Sequence, residues 1–127
     1  MALSAVAALV AVLLLVALAA LQVAVASGAP WGHLVWGGAH RVLPRRLRIG
    51  SLVSVVLYAG FAWVLLARSG WMPGGEGSVV IVATWVLFGY FTLGIVMNAL
   101  SRSVAERAVM TPTCVVLAIA TLVVALG

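Results

Sequence analysis

The chain has 127 residues, of which 66% are hydrophobic and 7% are charged. A soluble protein needs a polar exterior, so this composition excludes an ordinary water-soluble domain. Seven basic residues, all of them Arg, against two acidic ones give a net charge of +5. Because the Arg residues lie at the ends of apolar stretches, they indicate membrane topology and anionic lipid, and we expect no nucleic acid partner.

Four long apolar stretches take up most of the sequence, at about 2–26, 50–66, 78–100 and 108–126. A hydrocarbon core about 30 Å thick requires about 20 apolar residues per helix, and each stretch is close to that length. We therefore predict an all-α fold, a four-transmembrane-helix bundle that forms a single integral membrane domain over residues 1–127.

The Arg residues are distributed unequally between the two sides of the predicted bundle. The connections between spans one and two and between spans three and four share one side, and six of the seven Arg residues lie there. These six are Arg41, Arg45, Arg46, Arg48, Arg102 and Arg107. The positive-inside rule makes that side cytoplasmic, so we expect a multi-pass protein of the cell membrane with both termini outside.

The segment between the first two spans, about 28–49, is long for a helix–helix link, which usually takes about 2–8 residues. Trp31 and Trp36 are amphipathic rings suited to the headgroup level, so they are candidate interfacial anchors. The segment could lie on the membrane surface, or it could be partly re-entrant and close the cytoplasmic end of the bundle. Its many glycines and the charge at one end favour the interfacial loop.

Polar side chains in and near the spans gather toward the Arg-rich side. The ordinary explanation is that they bond to their own backbone or make single interhelical contacts, which contribute little in membranes. The functional explanation is a cavity open to the cytoplasm, with Arg residues at its rim that hold an anionic group. We expect Glu106 to form an ion pair with Arg102 or with an Arg of the first connection. The candidate lipid- or ligand-binding residues are Arg41, Arg45, Arg46, Arg48, Tyr58, Asn98, Ser101, Arg102, Glu106 and Arg107.

The sequence offers little for catalysis or for a cofactor. His33 and His40 are weak metal candidates, because the glycines between them disfavour a shared helix face and neither has Cys or acidic neighbours. Cys114 has no His or acid near it in the sequence. No Asp, Glu, Lys or Arg lies in a span centre, which disfavours proton- or sodium-coupled transport. We therefore expect no enzyme, no cofactor and no metal.

Several short motifs carry a resemblance to known sequences. They are Pro30-Trp31-Gly32, Trp36-Gly37-Gly38, Leu43-Pro44 with Leu47-Arg48, Met97-Asn98, Ser101-Arg102-Ser103 and Glu106-Arg107. Through them nearly the whole chain resembles a family of small, uncharacterised four-span membrane proteins from bacteria, mostly actinobacteria. The resemblance implies the architecture and implies no activity.

Three functions are compatible with these observations. The leading hypothesis is a non-enzymatic membrane protein whose cytoplasmic Arg-rich surface binds anionic lipid or docks as an accessory subunit onto a larger membrane complex. The alternative is a small permease or channel for a small solute, which would work as a homo-oligomer because four spans seldom enclose a path. A weaker alternative is a haem- or metal-binding electron-transfer subunit that uses His33 and His40.

Overall fold

The structure, a computed structural model, describes residues 2–127, and within that range it is all-helical. Its four long helices are α1 (Leu3–Ala26), α2 (Arg45–Arg68), α3 (Ser78–Ala99) and α4 (Val104–Leu126). Each is long and apolar enough to cross a membrane, judged by length and composition. The prediction of an all-α fold with four candidate spans is confirmed.

Helix α2 begins earlier than the apolar pattern predicted, at Arg45 and not at Gly50. Pro44 immediately precedes it in an extended conformation, and its carbonyl accepts hydrogen bonds from the Leu47 and Arg48 backbone N–H groups, each at 3.0 Å. The first turn of α2 is polar and lies outside the apolar stretch. A count of apolar residues alone therefore missed this turn.

Helix α4 also begins early, at Val104 and not at Ala108. The Ser103 hydroxyl caps it by accepting a hydrogen bond of 3.2 Å from the Glu106 backbone N–H. Ser followed three residues later by Glu is the spacing of a capping box, and here it marks the helix start. The early start brings the Glu106 side chain into the bundle.

Helices α1 and α4 form the middle of the bundle. Helix α1 packs chiefly on α2, α4 packs chiefly on α3, and α1 and α4 contact each other. Helices α2 and α3 share far fewer contacts, so a cleft separates them. The main core includes the fully buried side chains of Leu15, Leu65, Leu117 and Val124.

The prediction of a long interfacial or re-entrant loop between α1 and α2 is not supported, because short turns join these helices. Two of them are single turns of 3-10 helix, at Gly32–Leu34 and Trp36–Gly38. The Gly32 N–H donates to the Arg41 carbonyl at 2.8 Å, which folds the segment back on itself. Such bonds satisfy backbone groups locally, and composition alone does not reveal them.

These turns pack against the helices through a second apolar cluster. Val35 and Leu43 of the connection are buried together with Val25 of α1 and Met110 of α4. The connection therefore lies across one end of the bundle. At the other end, the Trp71 indole N–H donates to the Ala5 carbonyl at 3.0 Å and ties the α2–α3 turn to α1.

Candidate functional site

The connections α1–α2 and α3–α4 meet at one end of the bundle. The Ser103 hydroxyl donates a short hydrogen bond to the His33 carbonyl. The Gly37 N–H donates to the Glu106 carboxylate at 3.3 Å. The close approach requires glycine at Gly38, because a Cβ there would collide with the Ser103 side chain. The two connections therefore form one continuous surface.

Six guanidinium groups lie on or beside this surface, which we name the Arg-rich surface. Five of them are exposed and Arg48 is half-buried. The Arg-rich surface comprises Arg41, Arg45, Arg46, Arg48, Arg102 and Arg107.

Two of these arginines also support the fold. The Arg48 Nε donates to the Leu43 carbonyl at 2.8 Å, and its Nη2 lies 3.5 Å from where a Gly28 Cβ would be. The Arg107 Nη1 donates to the Ser101 carbonyl at 2.9 Å. The exposed guanidinium groups keep N–H donors for a phosphate or a carboxylate, whose geometry matches their planar fork.

Glu106 is buried, with 8% of its surface exposed, and it holds the two connections together. Its carboxylate accepts hydrogen bonds from the Ser101 hydroxyl at 2.5 Å and from the Gly37 N–H. The expectation of an ion pair with Arg102 or with an Arg of the first connection is wrong, because within residues 2–127 a hydroxyl and a backbone amide bond this carboxylate. The Ser101 hydroxyl and the turn at Gly37 supply these donors.

A cavity of about 470 Å³ lies among the helices next to this end of the bundle. All four helices and both 3-10 turns contribute to its walls, which are mostly apolar. We name it the polar cavity for its polar lining residues, which are Gln22, Trp36, Ser54, Tyr58, Tyr90, Asn98, Glu106 and Cys114.

The polar cavity opens sideways, through the cleft between α2 and α3. Tyr90, Leu93 and Met97 line it and yet are 50%, 59% and 63% exposed. Exposed apolar side chains on a candidate span face lipid when the helix is in a bilayer. The opening is therefore bordered by exposed, mostly apolar side chains of a candidate span.

Trp36 covers the polar cavity at the end where the connections lie. Its indole N–H donates to the buried Ser51 hydroxyl at 3.0 Å. A Cβ on Gly50 would lie 2.8 Å from the indole ring, so the ring passes directly over the glycine. Trp36 has a positive φ of 52°, which is uncommon outside glycine and is held by this packing. Trp31 and Trp36 are half-exposed, and their role as membrane anchors stays a prediction.

A cluster of three aromatic rings bounds the polar cavity on the side away from the connections. The Phe61 ring lies 5.3 Å from the Tyr90 ring and 6.0 Å from the Phe91 ring, measured between centroids. Beyond Phe61 the α2–α3 cleft continues with an apolar lining that includes Val82 and Leu87. Within residues 2–127, the polar lining therefore ends midway along the bundle.

The side-chain amides of Asn98 and Gln22, which both line the polar cavity, differ in their hydrogen-bond partners. The Asn98 Nδ2 donates to the Gly94 carbonyl at 2.8 Å and approaches the Cys114 Sγ at 3.5 Å. Gln22 is 9% exposed, and its Oε1 is buried without a hydrogen-bond partner. The Gln22 side chain adjoins the Tyr58 hydroxyl. The Gln22 Oε1 is thus a buried acceptor without a partner, enclosed by neighbouring protein atoms and not exposed to the cavity.

The histidines stay in the connection, where His33 is exposed and His40 is half-buried. In the part of the chain that the structure describes, no group of three or more His, Cys, Asp or Glu side chains is placed to hold a metal ion. The structure therefore adds no further ligand to this weak candidate pair.

The structure divides the predicted site residues into two groups. The six arginines and Ser101 belong to the surface, whereas Tyr58 and Asn98 line the polar cavity and Glu106 borders both. The predicted site residues did not include Gln22, although it was among the polar side chains that gather toward the Arg-rich side. Its signal was available, because it is the single Gln of the chain and lies within an apolar stretch.

No family model, curated protein or solved structure matches the chain. The resemblance to a small actinobacterial family therefore stays a prediction, and the function has to be argued from geometry.

Proposed function

We propose that this chain is a non-enzymatic integral membrane protein of the cell membrane whose Arg-rich surface, on the cytoplasmic side, binds anionic lipid headgroups. The observation that supports this proposal is the convergence of two cationic connections on one end of the bundle, where hydrogen bonds between Ser103 and His33 and between Glu106 and Gly37 join them. A bilayer brings phosphate groups to the level at which these candidate spans end.

The positive charge of the Arg-rich surface is large enough to retain anionic lipid. An Arg near an anionic membrane surface contributes about 1 kcal/mol, and five of these six guanidinium groups are exposed. Their planar forks bind phosphate oxygens in pairs, which gives geometric preference as well as attraction. Docking onto a larger membrane complex would use the same cations, with carboxylates of a partner in the place of phosphates.

A permease or channel has less support. The polar lining of the cavity stops at Phe61 and the neighbouring rings of α3, and the core of the remaining half is mostly apolar, with Thr84 and Thr121 as its fully buried polar side chains. A single subunit therefore offers no continuous polar path, and transport would need several subunits to share one.

The test is lipid binding measured by native mass spectrometry of the detergent-purified chain with added phosphatidylglycerol or phosphatidylcholine. We expect preferential binding of phosphatidylglycerol. A variant with Arg45→Gln, Arg46→Gln and Arg102→Gln should lose about a hundredfold in affinity at low ionic strength, at about fivefold for each Arg. The loss should shrink as salt is added, because exposed charges are screened.

Arg68→Gln is the matched control, because Arg68 ends α2 at the opposite end of the bundle. It should leave phosphatidylglycerol binding unchanged. Equal binding of both lipids, or an equal loss in the Arg68 variant, would contradict the proposal. Loss of a co-purifying protein from the triple variant, without any lipid preference in the wild type, would support docking instead.

A further inference from the structure

We propose that the polar cavity binds a quaternary ammonium group that carries an apolar chain, with aromatic rings around the cation and the Glu106 carboxylate as its opposite charge. The proposal does not rest on lipid binding at the Arg-rich surface, and it concerns a ligand of the opposite charge. The side chains that support it all line the cavity, and they are Trp36, Tyr58, Tyr90, Phe91 and Glu106.

Glu106 is a buried acid whose hydrogen-bond partners are uncharged. It is nine-tenths buried and lines the polar cavity, and its carboxylate accepts from the Ser101 hydroxyl and the Gly37 N–H. Buried carboxylates in proteins are normally paired with an opposite charge, because burial removes the water that stabilises them. The N-terminus of α4 supplies only about half a positive charge. A carboxylate has about four acceptor sites, so these two bonds leave capacity for contact with a cation.

Aromatic rings share the cavity with this carboxylate. Trp36, Tyr58, Tyr90 and Phe91 all line it, and the Tyr90 and Phe91 ring centroids are 5.6 Å apart. Trp36 directly precedes Gly37, whose N–H donates to the Glu106 carboxylate, so a ring and the carboxylate lie at the same end of the cavity. The faces of aromatic rings attract cations, and proteins commonly bind quaternary ammonium ligands among several such rings.

The cations of the Arg-rich surface lie outside the cavity. Within residues 2–127, Glu106 is the one charged side chain among the lining residues. Five of the six guanidinium groups are exposed, and physiological salt screens such charges beyond about 8 Å. An anionic ligand would therefore meet a carboxylate without a cation beside it. A neutral ligand would gain from neither the carboxylate charge nor the ring faces, so both features favour a cation.

The walls and the opening of the cavity favour a quaternary nitrogen with an apolar substituent. The walls are mostly apolar, and an ammonium N–H left unpaired against them would be costly, whereas a quaternary nitrogen has no N–H. Leu93 and Met97 border the opening between α2 and α3 and are largely exposed, so they provide an apolar rim for an attached chain. The volume of about 470 Å³ is within the range of about 300–1,000 Å³ that small-molecule sites occupy.

The test measures the binding of dodecyltrimethylammonium to the full chain in dodecyl maltoside micelles by native mass spectrometry. The matched ligand is 2,2-dimethyltetradecane, which has the same shape with carbon in place of nitrogen. We expect the cation to bind at least about tenfold more tightly than this neutral isostere, because only the cation is attracted to Glu106 and to the ring faces.

Lysophosphatidylcholine distinguishes two sources of the quaternary ammonium group. Binding as tight as that of dodecyltrimethylammonium would assign the site to a membrane lipid headgroup. Weaker binding would assign it to a free cationic amphiphile, because the phosphate adds an anion near the Glu106 carboxylate. Both results support a quaternary ammonium site.

Glu106→Gln separates the charge of this residue from its hydrogen bonds. The amide can accept from the Gly37 N–H and donate to the Ser101 hydroxyl, so the two connections stay joined, and thermal stability checks that they do. We expect dodecyltrimethylammonium to bind about tenfold more weakly. Glu76→Gln is the matched control, because Glu76 is an exposed acid outside the cavity, and it should bind the cation like the wild type.

Tyr90→Leu tests the aromatic contribution at a position that is half-exposed and therefore tolerant of change. It should weaken binding of the cation about fivefold, and Tyr90→Phe, which keeps the ring, should recover most of the affinity. Trp85→Leu is the control, since Trp85 is an exposed aromatic residue of the same helix that does not line the cavity. It should bind like the wild type.

Three results would overturn the inference. They are equal binding of the neutral isostere, unchanged binding in both Glu106→Gln and Tyr90→Leu, and loss of cation binding in the triple Arg variant. Retained cation binding in the triple Arg variant, with phosphatidylglycerol binding lost, would support two separate sites. A wild type that binds the cation but shows no preference for phosphatidylglycerol would contradict the proposed function alone.

Discussion

The Arg-rich surface and the polar cavity lie at the same end of the bundle, but they offer opposite kinds of hydrogen-bonding group. The surface presents exposed guanidinium donors, whereas the cavity is lined by the Glu106 carboxylate and by no Arg within residues 2–127. The surface is exposed beyond the ends of the apolar stretches, and the cavity opens between α2 and α3. Polar residues that share one end of the bundle therefore need not form one continuous site.

The α1–α2 connection separates the two regions. On one side it carries Arg41 and the arginines that begin α2, and on the other it places Trp36 over the cavity. Glu106 fixes the connection to α4 through the Gly37 N–H. Changes to this segment should therefore affect both regions, whereas changes to either region alone should not affect the other.

The largest effect should come from Gly32→Ala, which should disturb both regions together. A Cβ at this position would collide with the His40 carbonyl, and the backbone of the turn has to move. We expect a loss of about 3 kcal/mol in the free energy of unfolding, measured by denaturant titration in mixed micelles. Gly89→Ala is the control, since nothing lies within 4 Å of a Cβ there. Equal stability of the two variants would contradict the close packing of Gly32 against the His40 carbonyl.

Glu106→Ala should have the next largest effect, because it removes the acceptor that joins the two connections. A hydrogen bond to a charged group contributes about 1.5–3 kcal/mol, so we expect a loss of about 2 kcal/mol in unfolding free energy. The Gly37 amide should also exchange its hydrogen faster, measured by mass spectrometry. Glu76→Ala changes the exposed acid of the α2–α3 turn and should alter neither quantity. Unchanged exchange at Gly37 would contradict the contact.

Gly50→Ala should open the polar cavity from the connection side with a smaller loss of stability. The new Cβ would lie 2.8 Å from the Trp36 ring and push it away from Ser51. We expect a loss of about 1 kcal/mol, the contribution of one hydrogen bond. Alkylation of Cys114 by a water-soluble maleimide should become several times faster. Gly60→Ala on the same helix, where a Cβ meets nothing within 4 Å, should leave the rate as it is.

The smallest effect on stability should come from the exposed arginines. Arg46→Gln should change unfolding free energy by less than about 0.5 kcal/mol, because its side chain is exposed. Its phosphatidylglycerol affinity should still fall about fivefold. Arg48→Gln should instead cost about 1 kcal/mol, because it loses the bond from Nε to the Leu43 carbonyl. If both variants were equally stable, the structural role of Arg48 would be wrong.

The sequence was sufficient to predict the helical architecture. Four apolar stretches of nearly bilayer length indicated four candidate spans, and α1 and α3 end within one residue of the predicted bounds. The starts of α2 and α4 were missed because both lie in polar sequence. At Ser103 and Glu106 the capping spacing was present and would have located the start of α4.

The candidate site could be predicted only in part. Tyr58 and Asn98 were recognised because polar side chains are rare in apolar spans, and both line the cavity. Gln22 carries the same signal and also lines the cavity, but the predicted site residues did not include it. Glu106 was expected to pair with Arg, because proximity to opposite charge was the available argument, and the turn at Gly37 replaced that partner.

Composition and spacing thus determined by themselves the number of spans and the side on which the cations gather, because both follow from hydropathy and charge along the chain. Tertiary structure alone decided that α2 and α3 stand apart, that Trp36 covers the resulting cavity, and that the long first connection folds into short turns. Those features depend on close approaches, such as Gly50 beneath an indole ring, between residues whose contact no periodicity in the sequence records.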